Sequence, residues 1–290
     1  MSARLRGIAR ETEGIVAAGQ YVCPDGRAVS IAADTAAAAA GTRVYGPEPV
    51  GVGPVSVACE GTVSGNTVSV GTVSRSTVFE VTGESSTEAA RRLTGEASDP
   101  VAVLCFASAR NPGGGYLNGA QAQEEALCRA SALYTCLLRA PEFYAHHRAE
   151  RDVFYTDRVI HSPGVPVFRD DRGRLLSVPY KAGFLTSPAP NAGVIRQREP
   201  EEAGRIPAVL AARAERVLEV AVACGYRRIV LGAWGCGVFM NEPPVVAGVF
   251  RDLLTGDGRF ADRFDRVTLA VLDRTGEGPT LAAFRTAFAA

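Results

Sequence analysis

Apolar positions near the start of the chain recur at helical spacing. Leu5, Ile8, Ala9, Ile15 and Val16 predict a helix over residues 3–18, and the alanine-rich AADTAAAAAGT at 32–42 predicts a second. The first 45 residues therefore read as a helical extension. From 55 to 82 the pattern changes to alternating Val, Thr and Ser punctuated by glycine, which predicts β-structure. After Gly83, ESSTEAARRL predicts a short helix with a serine cap and glutamate in its first turn. VAVLCFA at 101–107 is apolar throughout, as a strand buried on both faces should be. A long helix is predicted over 120–139, and further strands at 153–160, 178–187, 227–233 and 266–273. Helical tracts, EEAGRIPAVLAARAERVLEVAVAC and PPVVAGVFRDLL, lie among the later strands. Such alternation predicts an α/β sheet between helix layers.

Composition narrows the function classes. Of 290 residues, 47% are hydrophobic and 21% charged, which supplies a sizeable core and excludes disorder over most of the chain. The 31 basic residues balance 31 acidic ones, so no broad basic surface exists for duplex DNA, and an anionic ligand needs a local site. Seven cysteines form no C-x-x-C pair and sit mostly in apolar runs, as reduced, buried thiols do. No apolar stretch is long enough to span a membrane and the N-terminus has no secretory pattern, so a cytoplasmic protein is expected.

Two glycine-rich segments follow predicted buried strands. SARNPGGGYLNGAQAQEEAL at 108–127 carries Gly113, Gly114 and Gly115 and enters a helix through Gln123, Glu124 and Glu125. GAWGCGVFMNEPP at 232–244 carries Gly232, Gly235 and Gly237 and enters a helix at Pro243 or Pro244. Neither has the lysine of a Walker A loop or the fingerprint of a dinucleotide fold. Two such turns on parallel strands can clamp one diphosphate with backbone N–H groups, although glycines also serve simply to permit tight turns. Glu124 and Glu125 diverge by about 100° around a helix axis, so they should not converge on one atom and their tasks should differ. A helix N-terminus favours the carboxylate and burial favours the acid; a glutamate between those pulls suits a general acid, although acidic first turns are commonplace helix stabilisers. His146 and His147 are adjacent in a polar helix and His161 follows a strand, so no metal-ligand spacing appears. Cys236 has no histidine near it in sequence and reads as loop packing rather than a nucleophile.

NPGGG at 111–115, seven intervening residues and QEE at 123–125 resemble the signature of poly(ADP-ribose) glycohydrolases. GAWGCGVF at 232–239 is similar to the diphosphate loop of the bacterial-type members, and ARETEGIV and GQYV near the start extend the likeness over nearly the whole chain. The resemblance implies a macrodomain-like, mixed but largely parallel sheet between helix layers. An N-terminal extension would occupy 1–54 and the catalytic domain 55–290. It implies hydrolysis of ribose–ribose O-glycosidic bonds from the chain end without metal or organic cofactor. Poly(ADP-ribose) or ADP-ribosylated proteins would be the partners and ADP-ribose the product, with neither duplex DNA nor membrane involved.

By the same resemblance Glu125 is the catalytic acid, and Glu124 and Asn111 hold ribose hydroxyls, with Gln123 beside them. Gly113, Gly114 and Gly115 approach the distal ribose and diphosphate from one side. Gly235, Cys236, Gly237 and Val238 present amides from the other, while Phe239 packs on the terminal ribose. Glu84 is the candidate acceptor for the adenine amino group, and Met240 bears on access to the terminal ribose. Most glycosidases place two carboxylates about 5–9.5 Å apart across the bond, which adjacent helix residues should not do, so one glutamate would serve as acid and then base. An ADP-ribose-binding macrodomain or a mono-ADP-ribosyl-protein hydrolase shares the glycine loops and is the alternative. A nicotinamide-dependent oxidoreductase lacks its fingerprint here.

Overall fold

The computed structural model describes residues 2–51, 76–275 and 278–289. In chain order the elements are α1 (Ala3–Ala18), β1 (Gln20–Val22), β2 (Ala28–Ser30), α2 (Ala32–Gly41), β3 (Arg43–Tyr45), β4 (Val78–Thr82), α3 (Ser86–Glu96), β5 (Val101–Phe106), α4 (Gln123–Ala130), α5 (Leu133–Leu137) and α6 (Pro141–Ala149). They continue as β6 (Val159–Arg169), β7 (Leu175–Ser187), α7 (Ala192–Arg198), α8 (Ile206–Ala223), β8 (Arg228–Leu231), α9 (Pro243–Leu254), β9 (Arg266–Ala270) and α10 (Pro279–Ala287). Among the described residues, no helix is long and apolar enough to cross a membrane.

Among the described residues, a seven-stranded sheet has the order β3-β6-β7-β5-β8-β9-β4. The five strands from β7 to β4 run parallel, and β6 and β3 complete one edge antiparallel. The buried run at 101–106 explains why β5 sits centrally. Ala102 and Leu104 point into the core shared with α8 and α9, whereas Val101, Val103 and Cys105 point into the core shared with α3 and α4. Alternate side chains of one strand thus anchor both helix layers.

The N-terminal residues are not purely helical, as periodicity alone suggested. α1 and α2 form as predicted, but a β1–β2 hairpin lies between them and β3 pairs with β6 as the edge of the main sheet. Three-residue strands are too short to produce an alternation signal. The β-structure expected at 55–82 is present at β4; residues 55–75 of that expectation lie outside the described residues.

The single helix expected over 120–139 divides in two. Ser131 adopts an extended backbone, its hydroxyl donates to the Leu127 carbonyl at 2.7 Å and accepts from the Leu133 amide at 3.2 Å, and it bridges to Val167. A hydroxyl competing for backbone partners ends the first helix. Likewise the strand expected at 153–160 begins only at Val159, and it contains His161 rather than preceding it.

Candidate active site

β5 and β8 are parallel neighbours, so the glycine turns that follow them leave the sheet at the same edge, side by side. Between them opens a cleft of about 1630 Å³. That exceeds the ~300–1,000 Å³ typical of a pocket for one small molecule. Its lining includes Asn111, Gly114, Glu124, Glu125, Gly235 and Phe239.

The first turn is organised around the two glutamates. Ser108 N–H donates to Glu124 Oε2 at 2.6 Å and Gly113 N–H donates to Glu124 Oε1 at 3.1 Å, while Gly115 N–H donates to Glu125 Oε1 at 2.9 Å. Glu124 and Glu125 are only 2% and 7% exposed, yet Glu125 Oε2 has no hydrogen-bond partner among the described residues. The two successive side chains accept from different amides, as their divergence around the helix predicts, but the turn folds back over the start of α4 so that both reach it. Gly114 shows how closely. Its φ is +56°, and a Cβ there would lie 2.5 Å from Glu125 Oε1 and 3.2 Å from Glu124 Oε2. Burial pushes the Glu124 carboxyl well above its usual range; the Ser108 and Gly113 amides oppose this, and the charge of Glu125 reinforces it.

The expected grip of this turn on a diphosphate through its glycine amides is also corrected. Gly113 and Gly115 donate to the glutamates, and Gly114 N–H donates to the Asn111 carbonyl at 3.0 Å. Gly113 is buried and does not line the cleft. Gln123 is a clamp: its Nε2 donates to the Leu104 carbonyl and the Ser86 hydroxyl, and its Oε1 accepts from Phe106 N–H. It joins the end of β5 to α3. Asn111 is exposed at the cleft, with its amide held by the Ser108 hydroxyl.

The second turn differs. Cys236 N–H donates to the Ala233 carbonyl at 3.1 Å, so its expected role as a ligand-facing amide does not hold. The N–H groups of Gly235, Gly237, Val238 and Phe239 have no acceptor among the described residues. Such a run of amides in a turn suits an anion. The turn is braced from behind: Trp234 Nε1 donates to the Ser187 carbonyl, Asn241 Nδ2 to the Pro190 and Gly235 carbonyls, and Gly193 N–H to the Phe239 carbonyl. Gly235 has φ +71°, and a Cβ there would lie 2.5 Å from both Ala189 Cβ and Asn241 Nδ2. Burial pushes the Cys236 thiol up to about 12, which disfavours a nucleophilic thiolate. Val238 is 80% exposed. Met240 also stands out from the surface and leans on Gly193 of α7, beside the turn.

Glu84 is not brought to the cleft. Both its oxygens are taken by Arg92, at 3.0 and 2.8 Å, and Ser85 caps α3 instead. Its adenine role therefore fails on position; Ser85, Ser86 and Thr87 are the residues of that segment that line the cleft. Tyr155 is the site residue that sequence reasoning missed. It lines the cleft with its ring 5.9 Å from Phe239, and it holds φ +61°, unusual for an aromatic residue. No motif or periodicity marks it. His147 is buried, bonded to the Phe143 carbonyl and to Thr156, and His161 contacts Tyr226 and Cys224. Among the described residues no cluster of three His, Cys, Asp or Glu could hold a metal ion.

A largely parallel α/β sheet, an amide-rich turn suited to an anion and a neighbouring pair of buried carboxyls give the fold and site of a class of protein able to combine phosphate-ligand binding with acid–base chemistry. The comparisons give this class its family. The model of the microbial-type PARG catalytic domain matches residues 9–170. Among solved structures the chain is similar to a poly(ADP-ribose) glycohydrolase from Thermomonospora curvata bound to the inhibitor ADP-HPD, with 49% identity over 99% of this chain and 100% of that chain and a TM-score of 0.86. It is also similar to a poly(ADP-ribose) glycohydrolase from Deinococcus radiodurans in complex with ADP-ribose, with 43% identity over 87% and 96% of the two chains and a TM-score of 0.75. None of the curated proteins matches. The chain belongs to the microbial-type poly(ADP-ribose) glycohydrolase family.

Proposed function

We propose that the protein hydrolyses the ribose–ribose bonds of poly(ADP-ribose) from the chain end, releasing ADP-ribose, with Glu125 as the proton donor. The observation that carries this reading is the unequal use of the Glu125 oxygens. Oε1 is pinned by Gly115 N–H, whereas Oε2 is buried, has no partner among the described residues and belongs to a residue lining the cleft. A carboxyl oriented through one oxygen and free through the other is arranged to hand a proton to a substrate atom. Glu125 protonates the departing 2′-oxygen as the sugar develops oxocarbenium character; the resulting carboxylate then takes a proton from the attacking water. Both glutamates are fixed by one turn, on one side of the cleft, which supports a single acid–base residue over two opposed ones.

Glu124, held by two amides, and the exposed Asn111 orient the ribose. The amides of Gly235, Gly237 and Val238 receive the diphosphate, and Phe239 on Tyr155 backs the terminal ribose. A macrodomain-type sheet accommodates this arrangement, because both turns emerge at the carboxyl ends of its central strands.

Labelled poly(ADP-ribose) incubated with the purified protein and with its Glu125→Gln variant tests the reading. Wild type should release ADP-ribose, and the variant should lose about 10²–10⁴-fold in rate while binding ADP-ribose within a few fold. Retained turnover in the variant refutes the role of Glu125. Longer fragments from wild type refute chain-end cleavage, and no product at all refutes the activity.

A further inference from the structure

Beside the catalytic cleft lies a second depression of about 280 Å³, lined by Arg110, Arg148, Arg151, Val153 and Arg198. Four of the five described residues that line it are arginines, in a chain whose formal charge is zero. None of the four forms an ion pair with a described residue. Glu150, Asp152 and Glu199 adjoin them in sequence, but none lines the depression. Two of the arginines are fixed in place. Arg110 Nε donates to the His147 carbonyl at 3.2 Å, and Arg148 Nη1 donates to the Arg110 carbonyl at 2.7 Å. The side chains of Arg151 and Arg198 are exposed and make no hydrogen bond within the described protein.

Like charges gathered in a concave surface, without counter-charges, raise each other's energy and favour an anion that relieves it. Guanidinium groups match phosphate oxygens in a planar, two-point geometry. Position decides which phosphate. Arg110 lines both this depression and the catalytic cleft, directly precedes Asn111, and places its guanidinium 5.8 Å from the centre of the Tyr155 ring, which packs on Phe239. In poly(ADP-ribose) the oxygen that leaves is the 2′-oxygen of the preceding unit's adenosine, and the 5′-carbon of that same ribose carries a diphosphate. One sugar therefore links the scissile oxygen to the next pair of phosphates.

We infer that the arginine-lined depression is a subsite for the diphosphate of the penultimate ADP-ribose unit, the part that departs with the polymer. This rests on the proposed activity and extends it from the terminal unit to the leaving chain. Such a subsite favours polymer over a single ADP-ribose group on a protein, since the latter has no second diphosphate.

The test is Arg151→Ala combined with Arg198→Ala, beside Arg151→Lys combined with Arg198→Lys. The removed side chains make no hydrogen bond or ion pair with the described residues, which guards against unfolding. The alanine pair should raise KM for polymer about tenfold with kcat within twofold, and the lysine pair should recover part of the loss, because it restores charge without the fork. Affinity for free ADP-ribose should stay within twofold in both. Inorganic pyrophosphate should inhibit wild type on polymer more strongly than it inhibits the alanine pair. Unchanged KM in the alanine pair overturns the subsite, and pyrophosphate binding lost without a change in KM would assign the depression to a free diphosphate instead. An equal loss of ADP-ribose affinity also overturns it, because the arginines would then serve the terminal unit. If wild type releases no ADP-ribose, the failure lies with the proposed activity itself and is seen before any variant is made.

Discussion

The glycine turns after β5 and β8 leave neighbouring strands at the same edge of the sheet, and they look alike in sequence. Their amides do opposite things. In the first turn Gly113 and Gly115 donate inward to the glutamates and Gly114 to the Asn111 carbonyl, so the turn is a mould for acid side chains. Among the described residues, only Cys236 of the stretch 235–239 in the second turn donates to a backbone carbonyl, and its neighbours' N–H groups have no acceptor there. A glycine run thus marks where backbone must come close to something. It does not say whether that partner is the protein's own carboxylate or a ligand.

The sharpest way to break this contrast is at Gly114. Alanine there meets a left-handed backbone and both carboxylates, so turnover should fall by about 10²–10³-fold, within the range ascribed to a displaced general acid. Stability should also fall, by about 2 kcal/mol in a denaturant titration. A variant with near-normal kcat would show that the mould is not what positions Glu125. Glu124→Gln comes next. Its NH₂ would face one of the Ser108 and Gly113 donors, and an unpaired buried donor costs roughly 1–3 kcal/mol; we expect a ten- to hundredfold loss in kcat/KM, with weaker ADP-ribose binding.

A smaller effect sharpens the contrast within the second turn. Gly235→Ala is strained and blocked by Ala189 and Asn241, so ADP-ribose affinity should drop by about tenfold. Gly237 has an open position for a Cβ and no left-handed φ, so Gly237→Ala should change affinity by less than about threefold. Calorimetric titration of both separates them, and equal losses would show that side-chain bulk rather than turn geometry matters.

The smallest effect expected near neutrality concerns the support of the first turn. Burial lowers His147 and His161 from 6.5 to about 4, so each contributes stability that is full above about 6.5 and is lost as pH falls towards 4. The His147 carbonyl also holds Arg110 next to the first turn. His147→Gln should flatten the loss of thermal stability between pH 6.5 and 4, whereas an unchanged slope would mean that this histidine is not buried neutral in the folded protein.

Much of the layering was legible in the chain's pattern. The continuous apolar run at 101–106 demanded a strand covered on both sides, and helices over 3–18 and 243–254 followed from periodicity and a first-turn proline. Less legible were the edge strand at 43–45 and the break at Ser131, because each depends on partners far along the chain, Val159–His161 and Val167. Glu84 misled because an acid next to a helix start is read the same whether it faces a ligand or an arginine two turns away.

Residue order was enough to establish an α/β protein, the pairing of glycine turns with strand ends, and the nearness of Gln123, Glu124 and Glu125 to a helix start, since these are matters of local spacing. It could not say which amides remain free, that two successive glutamates meet one turn, or that Tyr155 stands behind Phe239 and four arginines gather beside them. Those depend on the directions of groups brought together across long stretches of chain. Direction in space, unlike periodicity, is fixed only when the layers pack.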